Sequence, residues 1–74
     1  MPAYANLSGK SGVRAYNFRE GQIEVTFRDG ARYVYTYQST GKARVDEMIN
    51  RARAGWGLHR YINRSVGKAY AYRI

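Results

Sequence analysis

Apolar and polar residues alternate with period two through the first half of the chain. From Gln22 to Phe27, the residues Ile23, Val25 and Phe27 point one way while Glu24 and Thr26 point the other. From Ala31 to Tyr37, the tyrosines 33, 35 and 37 share one face and Arg32, Val34 and Thr36 share the opposite one. A similar run, Val13 to Phe18, precedes them. Alternation of this kind marks strands with one buried face. Arg-Glu-Gly21 and Arg-Asp-Gly30 separate the runs, and their glycines can adopt the positive φ that tight hairpins require. The pattern predicts a three-stranded antiparallel meander.

The period then lengthens. Val45, Met48, Ile49 and Ala52 fall at i, i+3, i+4 and i+7, a single apolar helical stripe. Ser39 or Thr40 is placed to cap its start and Gly55 to end it. Glu47 precedes Arg51 by four residues, the favourable order for a helix ion pair. A second, shorter helix is expected from about Gly57 to Arg64, with Leu58, Tyr61 and Ile62 turned inward and Arg60 and Arg64 outward. The closing Lys-Ala-Tyr-Ala-Tyr-Arg-Ile alternates again, as a short C-terminal strand would. The expected fold is therefore α+β: the meander, two α-helices packed on one face, and a possible fourth strand. Its core should comprise Ile23, Val25, Phe27, Val45, Met48, Ile49, Ala52, Leu58 and Ile62, with Tyr35 at the edge.

Residues 1–11 are small and polar without clear pattern, and read as a flexible N-terminal arm to a single domain over 12–74. Gly9-Lys10-Ser11 has the ending of a phosphate-binding loop, but the glycine that motif needs five residues earlier is Tyr4. A nucleotide loop is therefore rejected.

At 74 residues without a cysteine, the domain has neither disulfide nor thiolate metal site to support it. A chain this short buries only about 60% of the surface it exposes when unfolded, so apolar packing carries its stability. Eight Tyr with Trp56, Phe18 and Phe27 supply much of that area. No basic leader with a following apolar run opens the chain, and no window approaches the roughly 20 apolar residues of a membrane span. The expected setting is cytoplasmic, away from the membrane.

Charge changes the picture. The net charge of +8 is concentrated in the second half, where residues 38–74 carry eight cations against two acids. From Gly55 to Ile74 cations interleave with aromatics and there is no acid. Cations neutralise phosphates and flat rings accept stacked bases, so the pattern points to a nucleic-acid strand. The cations available are Lys42, Arg44, Arg51, Arg53, Arg60, Arg64, Lys68 and Arg73, and the rings are Trp56, Tyr70 and Tyr72. The expected contacts are Arg60, Arg64, Lys68 and Arg73, with Trp56 and Tyr70 stacking. With no RNP, zinc-finger or helix-turn-helix signature, binding should be led by phosphate contacts and only weakly sequence-specific. Each feature also has a plainer reading. Arg60 and Arg64 also suit a solvated helix face, Trp56 a wedge between helices, and the Tyr33, Tyr35, Tyr37 series a sheet core.

The order of signals resembles the KTSC domain, named for its place at the C-terminus of some lysyl-tRNA synthetases and found also in small bacterial and phage proteins. The family's Tyr-x-Tyr falls on Tyr33 and Tyr35, and its closing series on Tyr61, Asn63, Gly67, Lys68 and Tyr70. The resemblance spans roughly residues 12–74. It departs before the helix, where the family often has Val-Pro and this chain has Gln-Ser-Thr-Gly at 38–41. The resemblance implies RNA ahead of DNA and brings no catalytic residues.

Catalysis has one foothold in the sequence, the lone His59 beside Arg60 and Tyr61. A single His with scattered carboxylates builds neither a metal site nor an evident acid–base pair, so no enzyme, metal or cofactor is expected. The alternative to nucleic acid is an interaction module, such as a phage-type inhibitor or adaptor, docking on an acidic protein. Arg, Tyr and Trp dominate protein hot spots as well. Oligomeric state leaves no trace in the sequence.

Overall fold

A computed structural model describes residues 12–74, and the arm expected over 1–11 lies outside the described residues. The chain runs β1 (Val13–Arg19), β2 (Gln22–Phe27), β3 (Arg32–Thr36), α1 (Tyr37–Thr40), α2 (Lys42–Ala54), α3 (Leu58–Tyr61), a π-helical continuation (Ile62–Val66) and β4 (Tyr72–Arg73). The strands form one antiparallel sheet in the order β1-β2-β3-β4, so the expected α+β architecture holds. The short C-terminal strand pairs Tyr72 with Val34 and Arg73 with Tyr33. Flanking bonds from Ala71 N–H to Val34 O (2.7 Å) and Ile74 N–H to Arg32 O (2.8 Å) extend that ladder.

Register sets what faces the helices. Ile23 lies opposite Phe18 and Tyr35, and Val25 opposite Tyr16 and Tyr33. Cross-strand partners point to the same side, the side that meets the helices, with Phe18 left exposed at its margin. A bulge between Val13 and Ala15 lets β1 restart its alternation, and Val13 joins the core. Glycine is required at both hairpin turns, where Gly21 and Gly30 have φ of 80° and 89°.

Val13, Ile23, Val25, Tyr35, Val45, Met48, Ala52, Leu58, Ile62 and Val66 form the core. Seven of these were expected from periodicity. Phe27 and Ile49, also expected, are only half-buried against its margin. Tyr35, expected at the edge, is fully inside at 2% exposure. Val34 is buried too, on the face away from Tyr33 and Tyr35, with Glu24 and Tyr72 as its cross-strand neighbours.

Two helix boundaries differ from expectation. The helix of the apolar stripe, α2, starts from Gly41 without a side-chain cap, so neither Ser39 nor Thr40 caps it. Both lie in an extra turn, α1, that Thr36 caps. The Thr36 hydroxyl accepts the Ser39 N–H at 3.1 Å while the Ser39 hydroxyl accepts the Thr36 N–H at 3.1 Å. This reciprocal capping box closes the single turn of α1 and draws Tyr37 out of the strand. Gly41, at φ 103° and ψ 141°, breaks the helix before α2 begins. Thr40 is buried and its hydroxyl donates to Ala69 O at 2.7 Å, tying α1 to the tail.

The final helix also runs past Arg64 to Val66. Its buried residues Leu58, Ile62 and Val66 are spaced by four. In a regular α-helix each such step drifts by about 40° around the axis. The wider π turn takes back part of that drift and keeps Val66 on the core side. The Gly67 N–H closes it on Ile62 O at 2.6 Å.

Candidate nucleic-acid interface

The interface begins where α2 ends. Gly55 adopts the left-handed conformation (φ 84°) and donates its N–H back to Arg51 O and Ala52 O, the usual αL stop. Gly57 is left-handed as well (φ 83°). Two such residues around Trp56 turn the chain sharply and leave the indole 58% exposed at the bend. The wedge between helices is therefore not formed.

Beyond the bend, the same helix that buries Leu58, Ile62 and Val66 presents Arg60, Asn63 and Arg64 to solvent, and Lys68 follows in the exposed turn. The ion pairs among the described residues are Arg32–Glu24, Lys42–Asp46 and Arg51–Glu47. Arg60, Arg64 and Lys68 belong to none of them.

Other candidate cations are engaged inside the fold. Arg51 binds Glu47 at 2.7 Å, reaches Gly57 O at 3.4 Å and lies 4.7 Å from the centre of the Tyr61 ring. It fastens α2 to the bend and to α3. Lys42 bonds Asp46 at 3.1 Å and sits over the Tyr37 ring, whose hydroxyl donates to the same carboxylate at 2.7 Å. Those two bonds, the tyrosine's first, hold the Asp46 carboxyl below its ordinary range. The bond to Asp46 likewise raises both the Tyr37 phenol and the Lys42 ammonium. Arg44 makes a long 3.5 Å contact with Thr40 O.

In the tail, Arg73 is exposed and its guanidinium stands 5.6 Å from the Tyr33 ring centre. Tyr70 is half-buried, packed 4.7 Å from Tyr33 and edge-on to Tyr35 at 6.2 Å. Part of its stacking surface is thus used within the fold, whereas Tyr72 is 54% exposed. Burial pushes the Tyr35 phenol up to about 12, with Tyr33 and Tyr70 adding to the effect. Arg53 is exposed near the end of α2.

His59 accepts the Gly12 N–H at Nδ1 (2.8 Å) and meets the Phe27 ring edge-on at 5.8 Å. It joins α3 to the start of β1. Around it lies a shallow, open pocket of about 420 Å³, lined by Gly12, Phe27, Arg28, Asp29, Ala31, Tyr33 and His59. The sequence reading missed Arg28 and Asp29, since they belong to a hairpin turn some thirty residues before His59. Among the described residues no group of three or more His, Asp or Glu is gathered as a metal site would need, and no helix is long and apolar enough to cross a membrane.

In comparisons with known proteins, the chain matches no family model, no curated protein and no solved structure.

Proposed function

We propose that this domain is a non-catalytic module that binds nucleic acid through phosphate contacts from Arg60, Arg64, Lys68 and Arg73, with Trp56 as the main stacking ring. The observation that carries this reading is the outward face of the last helix. It holds Arg60 and Arg64 one turn apart, with Lys68 just beyond, all exposed and without an ion pair among the described residues. Cations with no local partner are free to replace the counterions of a phosphate chain. An exposed indole contributes about 1–3 kcal/mol for each base it stacks. The resemblance to the KTSC domain favours RNA over DNA. The non-catalytic part of the reading rests on His59, whose Nδ1 is taken by a backbone N–H.

The test is fluorescence anisotropy of labelled single-stranded RNA with the native protein and with Arg60→Glu/Arg64→Glu. Both positions are exposed, so the variant should keep its melting temperature and lose most of its affinity. Equal affinity with an intact fold would remove the helix face from the interface. A protein partner is favoured by a different observation. Tyr16 and Phe18 stack at 6.2 Å on β1 at the margin of the sheet, and Phe18 is 40% exposed. Tight binding to one acidic protein and none to RNA would establish that alternative.

A further inference from the structure

The pocket between the β2–β3 turn and α3 is not used by the helix face, and its lining has a distinct chemistry. We infer that it receives one unstacked nucleotide of a bound single strand, base inward, beside the Tyr33 and Phe27 rings. The inference rests on the nucleic-acid reading above and gives that strand a second anchoring point.

Its shape and lining fit this occupant. At about 420 Å³ and open to solvent, the depression has room for a single base lying against its rings without enclosing it. Three rings, Phe27, Tyr33 and His59, stand along it. Phe27 meets the other two edge-on, at 5.7 Å and 5.8 Å, which fixes their positions. Single-stranded RNA is read mostly through bases splayed out against such rings.

The polar groups match a base more closely than a plain anion. Because Nδ1 of His59 accepts the Gly12 N–H, the proton of the neutral imidazole is on Nε2, which is then a donor. Asp29 Oδ1 accepts the Ala31 N–H at 2.9 Å, a bond that uses one of several acceptor positions on the carboxylate. A donor from α3 and an acceptor from the β2–β3 turn, both lining the pocket, suit the edge of a base, which presents both. A carboxylate would repel a free phosphate. Guanine, with adjacent N–H groups for the carboxylate and a carbonyl for the imidazole, is the best match.

Continuity with the helix face supplies the backbone path. Tyr33, one wall of the pocket, carries the Arg73 guanidinium 5.6 Å from its ring centre. Arg28 lies on the wall and Arg60 follows His59 directly on α3. A nucleotide seated here therefore has Arg28 in the lining itself for a flanking phosphate, and Arg73 on the Tyr33 ring.

The experiment titrates the ¹⁵N-labelled protein with the four ribonucleoside monophosphates, and with ribose 5-phosphate as a base-free control. Anisotropy with a single-stranded oligonucleotide runs alongside. The inference expects shifts centred on the Gly12, Ala31 and His59 amides, a Kd on the order of 1 mM or tighter, and the guanine nucleotide strongest. Asp29→Asn, which keeps an oxygen for the Ala31 N–H, should weaken that binding at least about threefold, whereas Arg19→Ala, at an exposed position on β1, should not. Equal shifts from ribose 5-phosphate would overturn the base-inward reading. Oligonucleotide binding with no nucleotide shift at the pocket would overturn the pocket and leave the helix face standing. Nucleotide shifts with no oligonucleotide binding would instead overturn the strand, and with it the helix face.

Discussion

Arg51 and the pair Arg60 and Arg64 are alike in sequence and should be opposite in effect. Arg51 holds Glu47 at 2.7 Å, stands over the Tyr61 ring at 4.7 Å and reaches the Gly57 carbonyl. Truncation to alanine removes an i,i+4 ion pair, about 0.3–0.5 kcal/mol for an exposed pair. It also removes a cation–π contact of about 0.5–1 kcal/mol. The 3.4 Å bond to Gly57 is long enough to add little. Alanine's better helix propensity returns a few tenths of a kcal/mol. The net cost is about 1 kcal/mol, which lowers Tm by about 4–8 °C in a domain of this size. Thermal unfolding followed by circular dichroism reads the shift, and oligonucleotide anisotropy below the transition reads binding. Arg51→Ala should lower Tm and leave affinity within about twofold, while Arg60→Ala/Arg64→Ala should do the reverse. An unchanged Tm together with a large loss of affinity in Arg51→Ala would refute the division into structural and contact cations.

Two further outcomes test the core. Leu58 is completely buried, and Leu58→Ala should cost about 2–5 kcal/mol in urea unfolding, a large share of the stability of so small a domain. A cost under about 1 kcal/mol would mean that α3 does not pack as described. Tyr35 contributes to alkaline stability, because its folded pKa of about 12 lies above the ordinary value of 10.0. That contribution is complete below pH 10, where both states are protonated, and is lost as pH rises from 10 towards 12. Ultraviolet titration should therefore show Tyr35 ionising late, together with alkaline unfolding, beside the Asp46-bonded Tyr37, which is also raised. In a Tyr37→Phe background Tyr35→Phe should remove the late phenol, and its persistence would show that another tyrosine is the buried one.

Periodicity made the sheet and the central helix legible. Ile23, Val25, Val45 and Met48 are buried because one face of each element meets the other, and spacing alone reports that. The misses have local causes. Tyr37 has the right spacing for the strand face, but the Thr36–Ser39 capping box turns the chain one residue earlier. Val66 was missed because the helix was expected to end at Arg64, whereas it continues as a π turn to Val66. Phe27 and Ile49 are apolar and in phase, yet they sit at the margin of a core too thin to enclose them.

The candidate site was legible only in part. Arg60, Arg64, Lys68 and Arg73 were expected to be exposed and are. Composition could not separate them from Arg51 and Lys42, whose partners depend on geometry. Tyr70 looked like a surface ring, and its packing on Tyr33 follows from the tail folding back beside β3. The His59 pocket was invisible because Arg28, Asp29 and His59 meet only when the hairpin turn closes against α3.

The most direct test of the account is the salt dependence of single-stranded RNA binding by the native protein. Four phosphate contacts, from Arg60, Arg64, Lys68 and Arg73, predict a slope of log K against log salt of about −3. Trp56 emission should change in step with binding. A slope near zero, or no binding at low salt, would contradict a phosphate-led interface.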